Sequence, residues 1–247
     1  LQFIKKHKQE VLIDWVVEES FKDLLESHPD INQVHVINLK KAKEKKSLRL
    51  FQTELKNAKK LGPYDLVIDM QGLIKSALIS KLIPAKKIIG FDKDSAREYF
   101  ASFFYSNKLN FAYTENVIER NIALIEFALD FDISKKQVQY KEPFLFTKKN
   151  YLDTKFSTTK KIVLLIPGAS HNSKCYPSKK YIELTKILDV NYFISWGSES
   201  ERELAVEIKS ESKNVKILEK MPLDILVSVI KQVDLVIGSD TGPTHLA

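Results

Sequence analysis

The sequence predicts an α/β protein made of two Rossmann-like domains, each a doubly wound parallel sheet covered by helices. Three observations support this fold class. Short apolar runs typical of buried strands alternate with segments of helical periodicity along most of the 247 residues. The alternation stops once, over residues 131–160, which are rich in Lys, Thr, Ser and Asp. The apolar runs 64–69 and 233–238 also resemble each other, which weakly supports a duplicated domain.

The first half contains the pattern of one such domain. Apolar runs predict strands at 11–17, 34–38, 65–70 and 87–91, and helical spacing predicts helices at 18–28, 47–60, 73–82, 97–105 and 115–130. Strands separated by helices of this length imply parallel βαβ units. We therefore assign residues 1–146 to an N-terminal domain. An extended segment over 131–160 ends in a linker at 147–160.

The second half repeats the alternation over residues 161–247. Strands are predicted at 161–166, 191–196, 215–218 and 233–239, with helices at 178–188, 199–210 and 223–232. The chain opens within a helical pattern and ends in the first turn of a helix after Pro243. A helix that ends there cannot cap its last turn or bury its face. We therefore expect the sequence to be a piece of a longer protein, without the two termini of that protein.

The composition excludes several classes of protein. No apolar stretch approaches the roughly 20 residues of a membrane-spanning helix. The single cysteine, Cys175, excludes an internal disulfide and fits a reducing compartment. Cys and His residues do not have the spacing of a structural zinc site, so we expect no bound metal.

Positive charge is concentrated in residues 39–60. This segment has nine lysines and arginines against two glutamates, and its excess equals the net charge of +7 of the whole chain. Leu48, Phe51, Leu55 and Ala58 share one helical face, which predicts an amphipathic basic helix. Such a face is either solvated or binds an anionic partner, for example an acidic membrane surface or a phosphorylated substrate. Nucleic acid is the least favoured partner, since no nucleic-acid-binding motif accompanies the charge.

Two loops of the second domain have the composition of an anion site. Residues 167–174, Pro-Gly-Ala-Ser-His-Asn-Ser-Lys, follow its first strand and combine small residues, hydroxyls and the cation of Lys174. Residues 240–245, Asp-Thr-Gly-Pro-Thr-His, follow its last strand with a tight turn. Either loop alone is compatible with an ordinary polar connection. Together, at one edge of one sheet, they favour a diphosphate site.

Other loops add candidate contacts. Glu201, or Glu199 as the alternative, follows the next strand and can accept hydrogen bonds from ribose hydroxyls, although acidic residues are also common at helix N-termini. Met221 precedes a helix and could contact an adenine, although methionine there more often packs in the core. In the first domain, the loops 69–77 and 91–98 carry polar side chains at the ends of strands.

These motifs resemble the ADP-heptose:lipopolysaccharide heptosyltransferase family of GT-B glycosyltransferases, in which two Rossmann-like domains face a cleft. Residues 240–245 are similar to the family's donor-site signature. Residues 69–77, Asp-Met-Gln-Gly-Leu-Ile-Lys-Ser-Ala, and 95–98, Ser-Ala-Arg-Glu, resemble the type I branch more than type II. The resemblance covers nearly the whole chain.

The resemblance implies roles for individual residues. The donor-binding residues are Ala169, Ser170, Lys174, Glu201, Met221, Asp240, Thr241, Gly242 and His245. Lys174 would also stabilise the leaving ADP, and Arg97 and Lys75 would contact the acceptor. The family's proposed catalytic base is an Asp in a Gly-Asp pair that would precede Leu1, so residues 1–247 alone are expected to be inactive. Asp69 and Asp92 become candidate bases if residues 1–247 prove active.

The implied reaction is an inverting transfer of heptose from ADP-heptose to a Kdo hydroxyl of Kdo-lipid A, without metal or other cofactor. An anionic lipid acceptor would explain the basic segment as a surface that binds the acceptor or its membrane. The resemblance then implies a peripheral protein on the cytoplasmic face of the bacterial inner membrane. Two alternatives stay open: another GT-B or sugar-nucleotide enzyme, including type II, and a non-catalytic nucleotide-sugar-binding module.

Overall fold

The computed structural model describes residues 1–148, 151, 159–169 and 171–247. Contacts divide the chain into two compact units. The first consists of Leu1–Lys22 and Asp30–Pro143, and the second of Asp23–Pro29 and Phe144–Ala247. Most of the predicted linker, 147–160, lies outside the described residues.

The first unit contains two parallel sheets. Strands β1 (Asp14–Val17) and β2 (Gln33–Val36) form one, and β3 (Tyr64–Ile68), β4 (Ala85–Phe91) and β5 (Asn107–Leu109) form the other in the order β3-β4-β5. Its helices are α1 (Gln2–His7), α2 (Leu39–Glu44), α3 (Leu48–Ala58), α4 (Ile74–Leu82), α5 (Val117–Leu129) and α6 (Lys135–Gln139). A 3₁₀ helix, Tyr99–Phe104, connects β4 to β5.

Helices cover both faces of the three-stranded sheet. The side chain of Val67 in β3 belongs to two neighbouring clusters on the same face of the sheet. One cluster includes residues of α3 and α4, and the other includes residues of α4 and the Tyr99–Phe104 helix. These three helical elements therefore form one layer, with α4 in the middle. Leu66 and Ile68 point to the opposite face, where Leu124 of α5 covers them. This alternation is the period of two expected of a strand buried on both faces.

The second unit is a single parallel sheet. Its strands are β6 (Ile162–Ile166), β7 (Asn191–Ile194), β8 (Val215–Ile217) and β9 (Leu235–Gly238), in the order β8-β7-β6-β9. Helices α7 (Ser178–Ile187), α8 (Glu199–Ser210) and α9 (Leu223–Ile230) cover it. All five residues of β6 are buried, as expected of a central parallel strand. From β6 the chain adds β7 and β8 on one side, and then returns to add β9 on the other side of β6. The position between β6 and β9 is therefore a switch point, where a ligand crevice forms at the carboxyl ends of the strands.

Several predicted elements differ from the structure. The helices predicted at 18–28 and 97–105 are shorter 3₁₀ helices, Glu19–Leu24 and Tyr99–Phe104. The predicted extended segment after residue 131 contains α6, which begins with a capping box between Ser134 and Gln137. Neither the short strand β5 nor α2 was predicted, because their few apolar residues leave little periodic pattern. The predicted first helical turn at the end of the chain is a 3₁₀ helix, Gly242–Leu246, which includes Pro243.

Candidate functional site

The switch point of the second sheet brings the two predicted anion loops together. Ser239, buried directly after β9, donates from Oγ to the carbonyl oxygen of Pro167 at 2.9 Å. The same hydroxyl accepts from the backbone N–H of Tyr176 at 3.2 Å. One short side chain therefore connects the loop after β9 to the loop after β6. Sequence reasoning missed this role of Ser239, although its position between the strand and Asp240 was visible.

Charged side chains of both loops meet at this edge. Lys174 Nζ lies 2.7 Å from Asp240 Oδ2, and His245 Nε2 lies 3.0 Å from Asp240 Oδ1. The hydrogen bond from Lys174, then that from His245, holds the pKa of Asp240 below its usual value. All three side chains are about half exposed or more, so solvent and a ligand can reach them. A cation and an imidazole thus flank one carboxylate at a sheet edge suited to a diphosphate.

Glu201 brings a third loop to the same place. Its Oε2 accepts from the backbone N–H groups of Gly197 at 2.6 Å and Ser198 at 3.1 Å, in a capping box that begins α8. Its other oxygen, Oε1, would lie 2.2 Å from a Cβ built on Gly168. The carboxylate therefore occupies the space that the missing side chain of Gly168 leaves. Glu199, the alternative ribose contact, instead pairs with Arg202 at 3.6 Å.

The remaining predicted donor residues have different surroundings. The carbonyl oxygen of Thr241 accepts from the N–H groups of Thr244 and His245, which fixes the last turn. Gly242 is exposed, and a Cβ on it would meet nothing within 4 Å. Met221 is partly buried against the core cluster that includes Leu218, so its side chain contributes to packing of the second unit. Ala169 is half-buried beside Gly168, and Ser170 lies outside the described residues.

Thr244 is a polar residue that sequence reasoning did not single out. Among the buried side-chain nitrogen and oxygen atoms of the described residues, its Oγ1 is the one without a hydrogen-bond partner. A Cβ built on Gly238, the last residue of β9, would lie 2.3 Å from that oxygen. A glycine at position 238 is therefore needed for the last turn to pack against β9.

In the first unit, the carboxylates of Asp69 and Asp92 organise the loops after β3 and β4. Buried Asp69 accepts from the hydroxyls of Tyr105 at 2.7 Å and Ser76 at 2.8 Å, and from the N–H of Gln71 at 2.9 Å. Asp92 accepts from the N–H groups of residues 94 and 95 and from Asn110 Nδ2 at 2.6 Å. Both carboxylates are thus committed to structural hydrogen bonds, which argues against either as a free base.

The two predicted acceptor residues, Arg97 and Lys75, lie near each other in the first unit, because the loop after β3 contacts the loop after β4. A Cβ on Gly72, in the loop after β3, would be 3.1 Å from the backbone nitrogen of Arg97, in the loop after β4. Glu98 then caps α4, because its Oε2 accepts from the N–H of Ile74 at 2.6 Å. Lys75 follows in the first turn of α4, 3.8 Å from Glu18. Arg97 and Lys75 are both exposed at this edge.

Within the described ranges, no group of three or more His, Cys, Asp or Glu side chains is arranged to hold a metal ion. Over the same part of the chain, every helix is too short or too polar to cross a bilayer.

Comparison with known proteins gives consistent matches. Residues 32–247 match the model of glycosyltransferase family 9 (heptosyltransferase). Lipopolysaccharide heptosyltransferase 1 of Campylobacter coli is 37% identical over 261 residues, which cover 100% of this chain and 75% of the relative. The structure of Escherichia coli heptosyltransferase WaaC with ADP-2-deoxy-2-fluoro heptose superimposes with a TM-score of 0.82 at 26% identity. It covers 98% of this chain and 77% of that one.

A type II enzyme is also similar in fold. Escherichia coli ADP-heptose lipopolysaccharide heptosyltransferase II has a TM-score of 0.67 at 18% identity, with 100% of this chain and 75% of that chain covered. The chain spans about three quarters of the length of these relatives.

Proposed function

Because the chain belongs to glycosyltransferase family 9, the heptosyltransferase family, we propose that it transfers heptose from ADP-heptose to a Kdo residue of Kdo-lipid A during inner-core synthesis of lipopolysaccharide. The observation that carries the proposal is the cluster of Lys174, Asp240 and His245 at the switch point of the second sheet. Relatives named lipopolysaccharide heptosyltransferase 1 support the type I reaction.

The donor occupies the carboxyl edge of the second sheet in this proposal. Lys174, Ser170 and the backbone of Ala169 hold the diphosphate, and Glu201 holds the ribose. The role of Glu201 is supported by its position against Gly168. From there, a carboxylate oxygen can reach a ligand bound to the loop 167–174. Met221 contacts the adenine. The residues of the last turn, Asp240, Thr241, Gly242 and His245, contact the diphosphate and the heptose.

The chemistry is a single displacement with inversion. A carboxylate takes the proton of the Kdo hydroxyl, whose oxygen bonds to the anomeric carbon of heptose as the bond from that carbon to ADP breaks. Negative charge then develops on the diphosphate, and the ammonium of Lys174 stabilises it. A donor phosphate would compete with Asp240 for that ammonium, so the ion pair rearranges when ADP-heptose binds. The base is proposed to be an Asp that precedes Leu1.

The acceptor side is proposed for the first unit. Arg97 and Lys75 contact anionic groups of the acceptor, and their exposure at one loop edge supports this. The basic segment that contains α2 and α3 contacts an anionic membrane surface, because most of its lysines are exposed. The protein would then act as a peripheral enzyme on the cytoplasmic face of the inner membrane.

The proposal is tested by the release of ADP. The intact protein is incubated with ADP-heptose, with and without Kdo-lipid A, and ADP is quantified. We expect ADP release that depends on the acceptor and that falls when another ADP-sugar, such as ADP-glucose, replaces the donor. Tight donor binding with no acceptor-dependent ADP would instead identify a nucleotide-sugar-binding module.

A further inference from the structure

The 3₁₀ helix Tyr99–Phe104 presents aromatic side chains to solvent. Tyr99, Phe100 and Phe103 are 48%, 62% and 65% exposed, while Ala101 and Ser102, between Phe100 and Phe103, are buried. The three rings contact each other, with centroids 5.4, 5.9 and 6.1 Å apart. We call them the aromatic ridge. A contiguous exposed apolar patch of this kind marks an interaction surface.

The aromatic ridge belongs to the helical layer formed by α3, α4 and the 3₁₀ helix. Other apolar side chains project from this layer: Ile74 on α4, and Leu48, which is 79% exposed, on α3. On the apolar face of α3, Ala58 is buried and Leu55 is partly buried, whereas Leu48 is open to solvent. Exposed apolar groups therefore occur on all three elements of the layer.

Basic side chains lie on or next to each element of this layer. Arg97 precedes the ridge and Lys75 follows Ile74, while α2 and the turn before α3 contribute exposed lysines. Between residues 97 and 108 the sequence contains one carboxylate, Glu98, and it is hydrogen-bonded to the N–H of Ile74. The layer therefore combines protruding aromatic rings with a positive rim. Aromatic and basic side chains together favour the interface of an anionic bilayer.

We propose that this layer is the membrane-docking face of the protein, with Phe100 and Phe103 inserted among the lipids at the headgroup boundary and the lysines paired with anionic headgroups. The inference rests on the proposed function, because a lipid acceptor brings the protein to a bilayer. A second copy of the chain would be a less suitable occupant, since two basic rims would repel each other. Insertion by the ridge adds an apolar component to binding that salt does not screen.

The test is partitioning of the intact protein onto vesicles of phosphatidylcholine with a minority of phosphatidylglycerol, at about 0.1 M and about 1 M NaCl. The variant Phe100→Ser/Phe103→Ser should partition roughly tenfold more weakly at both salt concentrations, because it loses apolar area that leaves water. The matched control Phe21→Ser/Tyr140→Ser removes two aromatic rings that are 52% and 67% exposed elsewhere in the same unit. It should partition like the wild type.

A second variant reports insertion directly. Phe100→Trp should show fluorescence quenching by brominated acyl chains beyond that of wild-type Trp15 and Trp196. Equal partitioning of the Phe100→Ser/Phe103→Ser variant and the wild type at high salt would overturn the proposal. A change from oligomer to monomer in that variant, with vesicle binding intact, would assign the ridge to a second copy and overturn it too.

The proposed function is tested separately in the same variants. Heptose transfer to a soluble, deacylated Kdo acceptor needs no bilayer, so the Phe100→Ser/Phe103→Ser variant should transfer at the wild-type rate. Absence of transfer by the wild type would contradict the proposed function and leave the vesicle result standing.

Discussion

Lys174 and Asp240 form an ion pair of 2.7 Å between the loops that follow the two strands at the switch point of the second sheet. They are 66 residues apart in sequence. The pair joins the two loops whose composition predicted an anion site. Because Lys174 is about half exposed, its ammonium can exchange this carboxylate for a ligand phosphate.

Replacement of Lys174 by alanine should slow heptose transfer by about 10²–10³-fold, because one charge-stabilising donor is removed from the leaving diphosphate. The fold should persist, since the side chain is solvent-accessible. Steady-state kinetics of the intact protein measure the effect. Lys180→Ala is the matched control, because Lys180 is similarly exposed and pairs with Glu183 on α7. Wild-type turnover of Lys174→Ala would remove Lys174 from the donor site.

Replacement of Gly168 by alanine should weaken ADP binding, because the new Cβ would overlap the carboxylate of Glu201. We expect a loss of about tenfold, comparable to that of Glu201→Ala, by titration calorimetry. In a Glu201→Ala background, the Gly168→Ala change should reduce the affinity for ADP little further, because the carboxylate that it would clash with is absent. Fully additive losses in the double variant would show that the two residues act independently.

The two loops of the predicted anion site were the most predictable part of the molecule. Parallel strands place their carboxyl ends at one sheet edge, so loop composition alone put Lys174 and Asp240 together. Glu201 was less predictable, because its packing against Gly168 depends on how α8 begins. The aromatic ridge escaped prediction because residues 97–105 have the apolar content of a buried helix, whereas Phe100 and Phe103 lie on the exposed side of a short 3₁₀ helix.

Asp14 should make stability depend on pH. Burial alone would raise the pKa of Asp14, but hydrogen bonds from Tyr64, Asn32 and His35 outweigh it and leave the pKa lowered. A lowered folded pKa contributes stability above the unfolded value of about 4, and that stability is lost as pH falls through the folded pKa. Asp14→Asn should therefore lower the unfolding free energy at pH 7 by about 1–3 kcal/mol.

The difference between wild type and Asp14→Asn should shrink below about pH 4, where the wild-type carboxyl also becomes protonated. Denaturant unfolding across this pH range measures it. Asp65→Asn is a suitable control, because Asp65 pairs with Lys86 at 2.6 Å on the open surface. A constant difference from pH 7 to pH 2 would mean that the charge of Asp14 contributes nothing.

Asp69→Asn should destabilise the protein without changing the pH profile of transfer. The buried carboxylate accepts from Tyr105, Ser76 and Gln71, and an amide cannot accept all of these bonds. We expect a loss of about 2–4 kcal/mol in unfolding free energy. Tyr105→Phe, which removes one of these bonds, should cost less. Loss of turnover with unchanged stability would make Asp69 a candidate base after all.

The basic segment should affect membrane contact and leave donor binding unchanged. Replacing Lys41, Lys43, Lys45 and Lys46 with Gln should weaken binding to anionic vesicles and reduce its dependence on salt. ADP affinity should stay the same. A control with the same loss of charge replaces Lys209, Lys213, Lys216 and Lys220 of the second unit. Unaltered vesicle binding of the first variant would return the segment to an ordinary solvated face.

Mass spectrometry of the acceptor tests the central claim most directly. The intact protein is incubated with ADP-heptose and Kdo-lipid A, and the lipid product is analysed alongside that of Lys174→Ala. We predict a product one heptose heavier than Kdo-lipid A, formed with one ADP per heptose and nearly absent in the variant. An acceptor of unchanged mass, in the presence of bound ADP-heptose, would contradict heptose transfer and leave a binding protein in its place.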